Sequence, residues 1–363
     1  MDHLFFRFTV KGVVQGVGFR PFVHHACTQA GLLGFVQNTG EGAVVVVNDA
    51  KTFQNILAQL PAHMRIDTLQ TETISAQFTD FTIRESTGDG FCEIPPDVFL
   101  CNDCLEELGD PQNRRHNYFF LTCTACGPRF TMTESSPYDR ATTTMRDFMM
   151  CPDCQKEYTN PTNRRFHAQT IACHRCGPTL SLYENGKALS FLHDKEMLKY
   201  VSKALQNDEI VSVKGVGGFH LFCNTNEKTR KKLNALTGRI NKPYALLCRD
   251  IDMARSIAMI SSEEERQLLS SKRPIVLVKK NSQSPEVSEL DTVGIMLAST
   301  ALHILLFKYF PYPLICTSSN LAHAPLTTER AEQFTSLVLN HDRRIIQAAD
   351  DSVLKVIDKT PLL

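Results

Sequence analysis

Cys101-Asn-Asp-Cys104, followed by Cys123-Thr-Ala-Cys126, returns fifty residues later as Cys151-Pro-Asp-Cys154 and Cys173-His-Arg-Cys176. Eighteen residues separate the two pairs in each half. Thiolates two residues apart sit on one turn and chelate a metal, and a second pair completes the tetrahedral four-sulfur shell that zinc takes. The repeat reaches beyond the ligands. Asp103/Asp153, Glu107/Glu157, Pro111/Pro161, Asn113-Arg114-Arg115/Asn163-Arg164-Arg165 and Gly127-Pro128/Gly177-Pro178 match in register. The reading is two tandem zinc modules of common origin and two zinc ions per chain. Disulfides or isolated redox pairs are the competing readings. Met1-Asp2-His3 leads straight into a strand-like run with no apolar leader, so a cytoplasmic chain with reduced thiols is expected. His167 or His174 could replace a ligand, although four cysteines already fill a tetrahedron.

The remaining composition bounds the function. Thirty-nine basic residues balance 39 acidic ones, and the modules carry no basic stripe or stacked aromatics. The four module arginines therefore do not indicate DNA binding. No apolar run approaches about 18 residues, so no membrane span is expected. At 363 residues the chain exceeds one ordinary domain. Cys27, Cys223, Cys248 and Cys316 lie in apolar stretches and read as small buried side chains, while Cys92 flanks a linker.

Three segments follow. Residues 1–90 read as strand Phe5–Val10, helix Pro21–Ala30, strands Leu33–Asn38 and Ala43–Asn48, helix Lys51–Leu60 and strand Gln77–Glu85. That order is βαββαβ, a ferredoxin-like sandwich. Gly88-Asp89-Gly90 and Pro95-Pro96 mark its end. Residues 91–185 hold the zinc pair. Residues 186–363 alternate helices and strands: Met197–Gln206, Thr229–Leu236, Ser262–Ser270 and Leu302–Tyr309 read as helices. Ile210–Val216, Tyr244–Cys248, Ile275–Lys279 and Leu314–Thr317 read as strands. An α/β domain on a mixed sheet is expected.

Gln15-Gly16-Val17-Gly18-Phe19-Arg20 lies between the first strand and the first helix. Its glycines free backbone N–H groups to converge on an anion, the helix N-terminus adds its positive end, and Arg20 can clamp phosphate oxygens in a fork. His24 and His25 read as helix-surface or packing residues. Val10 to Arg20, followed by Gly34-Phe35-Val36-Gln37-Asn38-Thr39, resembles the acylphosphatases. The resemblance implies that Gln15 to Phe19 cradle a phosphoryl group, that Arg20 holds it, and that Asn38 orients the attacking water. An acyl phosphate is already activated, so positioning and charge stabilisation suffice.

In the third segment Lys214-Gly-Val-Gly-Gly-Phe-His220 reads as a strand running into a glycine-rich turn. Arg239-x-x-Lys242-Pro243 and Thr317-Ser318-Ser319-Asn320 follow. Cations near a glycine turn can hold a polyphosphate, and hydroxyls with an amide at a strand end can read polar edges. In this order the motifs resemble the YrdC-like domain, which binds ATP and forms an acyl-adenylate. The resemblance places Lys214, Arg239, Lys242, Ser318 and Asn320 at the nucleotide; His220 could reach it or simply pack.

Acylphosphatase segment, paired cysteine modules and YrdC-like segment together resemble one family, the carbamoyltransferase HypF of [NiFe]-hydrogenase maturation. The resemblance implies hydrolysis of carbamoyl phosphate, adenylation of carbamate with ATP and Mg2+, and delivery to the C-terminal cysteine of the partner HypE for cyanide-ligand synthesis. Family members continue into a further large domain, so a truncated chain is expected. The sequence departs from the family pattern at Leu236-Thr237-Gly238 and Ala348-Ala349, where basic residues are usual. The alternatives are a non-catalytic zinc-containing module that binds the partner, acylphosphatase activity alone, and an RNA-modifying threonylcarbamoyl-adenylate enzyme.

Overall fold

The computed structural model describes residues 3–238, 243–320, 326–329 and 331–363. The chain forms two compact units, one from residues 1–98 and 122–177, the other from residues 99–121 and 178–363.

The first unit begins with β1 (His3–Val13), α1 (Phe19–Gln29), β2 (Gly34–Thr39), β3 (Gly42–Val47), α2 (Ala50–Leu57), β4 (Arg65–Ala76) and β5 (Phe81–Ile83). The sheet order is β4-β1-β3-β2-β5. Alternation decides which face each side chain takes. Phe8, Val10, Val45 and Val47 pack with Val23 and Cys27 of α1 and Phe53 of α2. Phe5, Phe35, Val44 and Val46 form a smaller cluster that includes Phe78. Asp49 caps α2, accepting from the amides of Lys51 and Thr52 at 2.9 and 3.1 Å.

The βαββαβ order is present, with two differences from the sequence reading. The strand expected over Gln77–Glu85 contracts to β5, and the long strand β4 was not anticipated. β4 pairs antiparallel with β1, but most of its residues are exposed. An edge strand in which polar residues outnumber apolar ones lacks the apolar alternation that betrays a half-buried strand, and its polarity protects the edge from further pairing.

Two short helices, α3 (Asn102–Gly109) and α4 (Pro152–Thr159), open the cysteine repeats. The second unit continues through β6 (Leu180–Glu184), β7 (Lys187–Leu189), α5 (Asp194–Gln206), β8 (Val211–Lys214), β9 (Phe219–Cys223), α6 (Glu227–Thr237) and β10 (Ala245–Cys248). Next come α7 (Ile251–Ile257), β11 (Ala258–Met259), α8 (Ser262–Leu268), β12 (Ile275–Lys280) and β13 (Thr292–Leu297). It closes with α9 (Ala301–Phe307), β14 (Leu314–Ser318), β15 (Leu337–His341), β16 (Val353–Ile357) and β17 (Thr360–Leu362).

Its sheet is mixed, as expected. β10 runs parallel to β13, β12 to β16 and β15 to β8, while β8–β9 and β9–β14 are antiparallel. Leu221, Leu246, Val276, Ile295 and Ile315 form the core of one face. The strand read over Ile210–Val216 stops at Lys214, and the glycine turn leads into a hairpin partner, β9. A Cβ on Gly217 would lie 2.3 Å from the Ala349 carbonyl oxygen, and one on Gly218 would lie 2.4 Å from the Leu326 side chain. Those glycines permit close approach of neighbouring chain, a packing reason independent of phosphate. Among the described residues, no helix is long and apolar enough to cross a membrane.

Candidate anion site, metal groups and nucleotide pocket

The anion site grows from the turn between β1 and α1. Gly16 has φ 71° and Gly18 φ 84°, left-handed values that suit glycine. Gly18 is the N-cap of α1, so the helix begins with free N–H groups beside Arg20, the second residue of its first turn. Arg20 is buried. Its Nη1 donates to Ser86 Oγ at 3.2 Å, and its Nη2 to the Tyr138 carbonyl at 3.2 Å and Asp139 Oδ1 at 2.6 Å. With the Asn38 amide oxygen turned to the guanidinium, Asn38 accepts from Nη2 at 3.1 Å and Nε at 3.2 Å. The two residues singled out from sequence, Arg20 and Asn38, therefore stand side by side.

The Gln15 side chain bonds to the surrounding main chain. Its side-chain amide donates to the Thr39 and Gly42 carbonyls at 2.7 and 2.6 Å, and its oxygen accepts from the Tyr138 amide at 2.7 Å. The side chain is committed to bracing the turn. Replacing Gln15 by leucine removes the partner of three backbone groups, two of them buried, and each buried group left unpaired costs about 1–3 kcal/mol. The Q15L chain is expected to show a lower denaturant midpoint and to lose phosphate affinity; a wild-type midpoint would contradict this bracing role.

Residues that sequence reasoning missed complete the wall. Arg129 donates through Nε to the Gly16 carbonyl, through Nη1 to the Cys126 and Pro128 carbonyls at 3.1 and 2.9 Å, and through Nη2 to the Thr124 carbonyl at 2.8 Å. His167 lines the same small pocket as Gly16, Gly18, Arg20, Asn38, Thr124 and Tyr138. Burial, with the nearby Arg20 charge, pushes its imidazole down to about 4. It is accordingly neutral at physiological pH. His24 is half-buried, its ring 5.3 Å from that of Phe166, and His25 is exposed, in keeping with packing and surface roles.

In each cysteine set the four sulfurs lie within 4.8 Å of one another. In the second set the separations are 3.8 Å for Cys151–Cys173, 3.7 Å for Cys173–Cys176 and 3.5 Å for Cys154–Cys176. Cys123 and Cys126 are 3.7 Å apart. A tetrahedron with Zn–S bonds of about 2.3 Å has edges of about 3.8 Å, whereas a disulfide needs about 2.05 Å. The donor set fits zinc and excludes the disulfide reading. Cys101 and Cys151 are the N-caps of α3 and α4. His167 and His174 belong to neither set.

Arg115, Arg164 and Arg165 are tied into the modules. Asn113 Oδ1 accepts from the Arg115 amide at 2.9 Å, and Asn163 Oδ1 repeats this with Arg165 at 2.8 Å. Arg115 and Arg165 are buried, and Arg164 Nη2 reaches Cys123 Sγ at 3.3 Å. The isolated apolar cysteines are also buried; burial pushes the thiols of Cys27, Cys223 and Cys248 up to about 12.

In the second unit Ser318 and Asn320 line one pocket with Pro243, Tyr244, Thr317, Asp350 and Asp351. Ser318 Oγ donates to Asn320 Oδ1 at 2.6 Å. His220 is opposite Ser318 in the β9–β14 register and lies 3.2 Å from Asp351. Lys214 lines a different pocket with Phe219, Glu329 and Asn340, and its ammonium donates to the His341 carbonyl at 2.9 Å. Burial pushes that ammonium down to about 8. Lys214 is thus not gathered with Ser318 and Asn320: adjacent strand positions point to opposite faces, and Lys214 is one step from Val213, the partner of His220. Arg239 and Lys242 lie outside the described residues.

Three family models match. One described as acylphosphatase covers residues 6–83, the HypF finger covers 100–133 and 150–183, and the Sua5/YciO/YrdC model, described as telomere recombination, covers 203–363. The carbamoyltransferase HypF of Synechocystis sp. is 42% identical over 371 residues, 97% of this chain and 48% of that protein. The probable carbamoyltransferase HypF of Methanocaldococcus jannaschii is 42% identical over 390 residues, covering 98% and 50%. Among solved structures, a full-length HypF in the phosphate- and nucleotide-bound form superposes with TM-score 0.92 at 36% identity, covering 99% of this chain and 50% of that one. The chain spans about half the length of the curated relatives it matches.

Proposed function

The chain belongs to the HypF carbamoyltransferase family, and from that premise we propose that it carries the first two steps of carbamoyl transfer. Residues 1–90 hydrolyse carbamoyl phosphate to carbamate and inorganic phosphate. Residues 186–363 join carbamate to ATP, releasing pyrophosphate and leaving carbamoyl-adenylate. Residues 91–185 hold two structural zinc ions. The observation that carries the reading is the placement of Arg20 beside Asn38 at a left-handed glycine turn opening α1.

In the cradle, backbone N–H groups of Gln15–Phe19 and the Arg20 guanidinium take the phosphoryl oxygens, and Asn38 orients the water that attacks phosphorus. Charge builds on oxygens already facing fixed donors, so little reorganisation is needed. Carbamate, which decomposes readily in water, then serves as the adenylation nucleophile. Ser318 and Asn320 contact the nucleotide, with Arg239 and Lys242 as the further residues assigned to it; Mg2+ accompanies the ATP phosphates. The carbamoyl group goes on to the C-terminal cysteine of a HypE-like cytoplasmic partner through a step outside this segment.

The test is radiolabelled pyrophosphate exchange into ATP. Exchange should require carbamoyl phosphate and fall at least about tenfold in a doubly substituted S318A/N320A chain, a loss of about 1.4 kcal/mol. Exchange that ignores carbamoyl phosphate would remove the adenylation proposal. Threonine-dependent pyrophosphate release would instead favour the RNA-modification alternative.

A further inference from the structure

Asp139 lies 119 residues from Arg20 in the chain yet ends 2.6 Å from its Nη2. We propose that Asp139 is the resident counter-ion of the cradle, holding Arg20 while the site is empty and weakening its grip on phosphate, so that the phosphate produced there leaves. This rests on the reading that the cradle binds a phosphoryl group, and goes beyond it by assigning the control of anion affinity to a residue outside the cradle motif.

Three observations carry the assignment. The Arg20 side chain is only 8% exposed and Asp139 is 24% exposed. A guanidinium so enclosed needs a partner, and a carboxylate at this distance supplies the opposite charge. Secondly, Nη2 and Nε of Arg20 are engaged by Tyr138, Asn38 and Asp139, and Nη1 donates to Ser86. A phosphoryl group must therefore share Arg20 with Asp139 or turn its carboxylate aside. Thirdly, the main chain of Asp139 cannot easily retreat. Its amide donates to Thr142 Oγ1 at 3.0 Å and its carbonyl accepts from the Thr142 amide at 3.1 Å. The next residue, Arg140, is bolted through Nη1 to the Gln169 and Ile171 carbonyls at 2.8 and 2.9 Å, and through Nη2 to the Phe148 carbonyl at 2.6 Å.

The negative charge thus stays beside the anion position when phosphate enters. Inorganic phosphate brings up to two negative charges near neutral pH, and like charges at short range in a poorly solvated pocket repel strongly. Asp139 therefore lowers affinity most for the most highly charged occupant.

The decisive experiment is calorimetric titration of the full chain with inorganic phosphate. The isosteric D139N chain removes the charge, keeps an acceptor for Arg20 and should bind phosphate at least about tenfold tighter, with a smaller gain for singly charged formate. D139S is a second uncharged variant, and whichever retains the parent's zinc content carries the test. Equal or weaker phosphate binding in that variant overturns the counter-ion role. R20A separates the two ideas. If R20A binds phosphate as the parent does, the cradle reading itself fails. If R20A loses binding while the Asp139 variants do not tighten, only the counter-ion inference fails.

Discussion

Phosphate release from carbamoyl phosphate is expected to slow about a thousandfold when Arg20 becomes alanine, roughly 4 kcal/mol of lost transition-state stabilisation. Removing a single neutral donor from such a site costs about a hundred- to a thousandfold, and Arg20 offers a charged fork rather than one N–H. Lysine at the same position keeps the charge but not the planar donor pair, so R20K should recover a minor part of the rate. The substitution also leaves Asp139 half-buried without its partner, which threatens folding as well as catalysis. Zinc content and the denaturation profile must therefore be compared alongside turnover. A folded, zinc-replete R20A chain as active as the parent would end the cradle assignment.

The second large effect concerns the metal. Cys154 is fully buried and its sulfur lies 3.5 Å from Cys176, one edge of the tetrahedron. Structural zinc in small four-ligand modules contributes apparent binding energies of roughly 10–16 kcal/mol, far above what the few buried residues around Cys151–Cys176 provide. C154S is expected to lose one of two zinc ions and to lose phosphate binding as well. The coupling is structural: Arg140 is anchored on Gln169 and Ile171, and Gln169 and His167 line the pocket around Arg20. Elemental analysis with phosphate titration checks both halves. Two retained zinc ions, or full phosphate affinity with one, would contradict the proposal.

Much of this was readable from the chain itself because the signals are local. The Cys-x-x-Cys spacing, the glycine turn before Arg20 and the alternation in β1 and β3 each act within a few residues. β4 escaped because a polar edge strand is stabilised by pairing with β1 rather than by its own pattern. β13 and β15 escaped for a related reason: their near-continuous burial comes from neighbours on both sides, and a short apolar run does not declare itself strand or helix. Lys214 was grouped with Ser318 on motif order alone, and strand geometry divided them.

Sequence alone determined the grouping of eight cysteines into two sets of four and the glycine turn that opens α1 beside Arg20, since each follows from spacing along a few bonds. Only tertiary structure decided that Arg129, Tyr138, Asp139 and His167 enclose that turn. They arrive from more than 100 residues away, and no local pattern distinguishes a buried arginine that braces a carbonyl from an ordinary surface one. Their effect on Arg20 arises from exclusion of water and closeness of charge, quantities that exist only once the chain has folded.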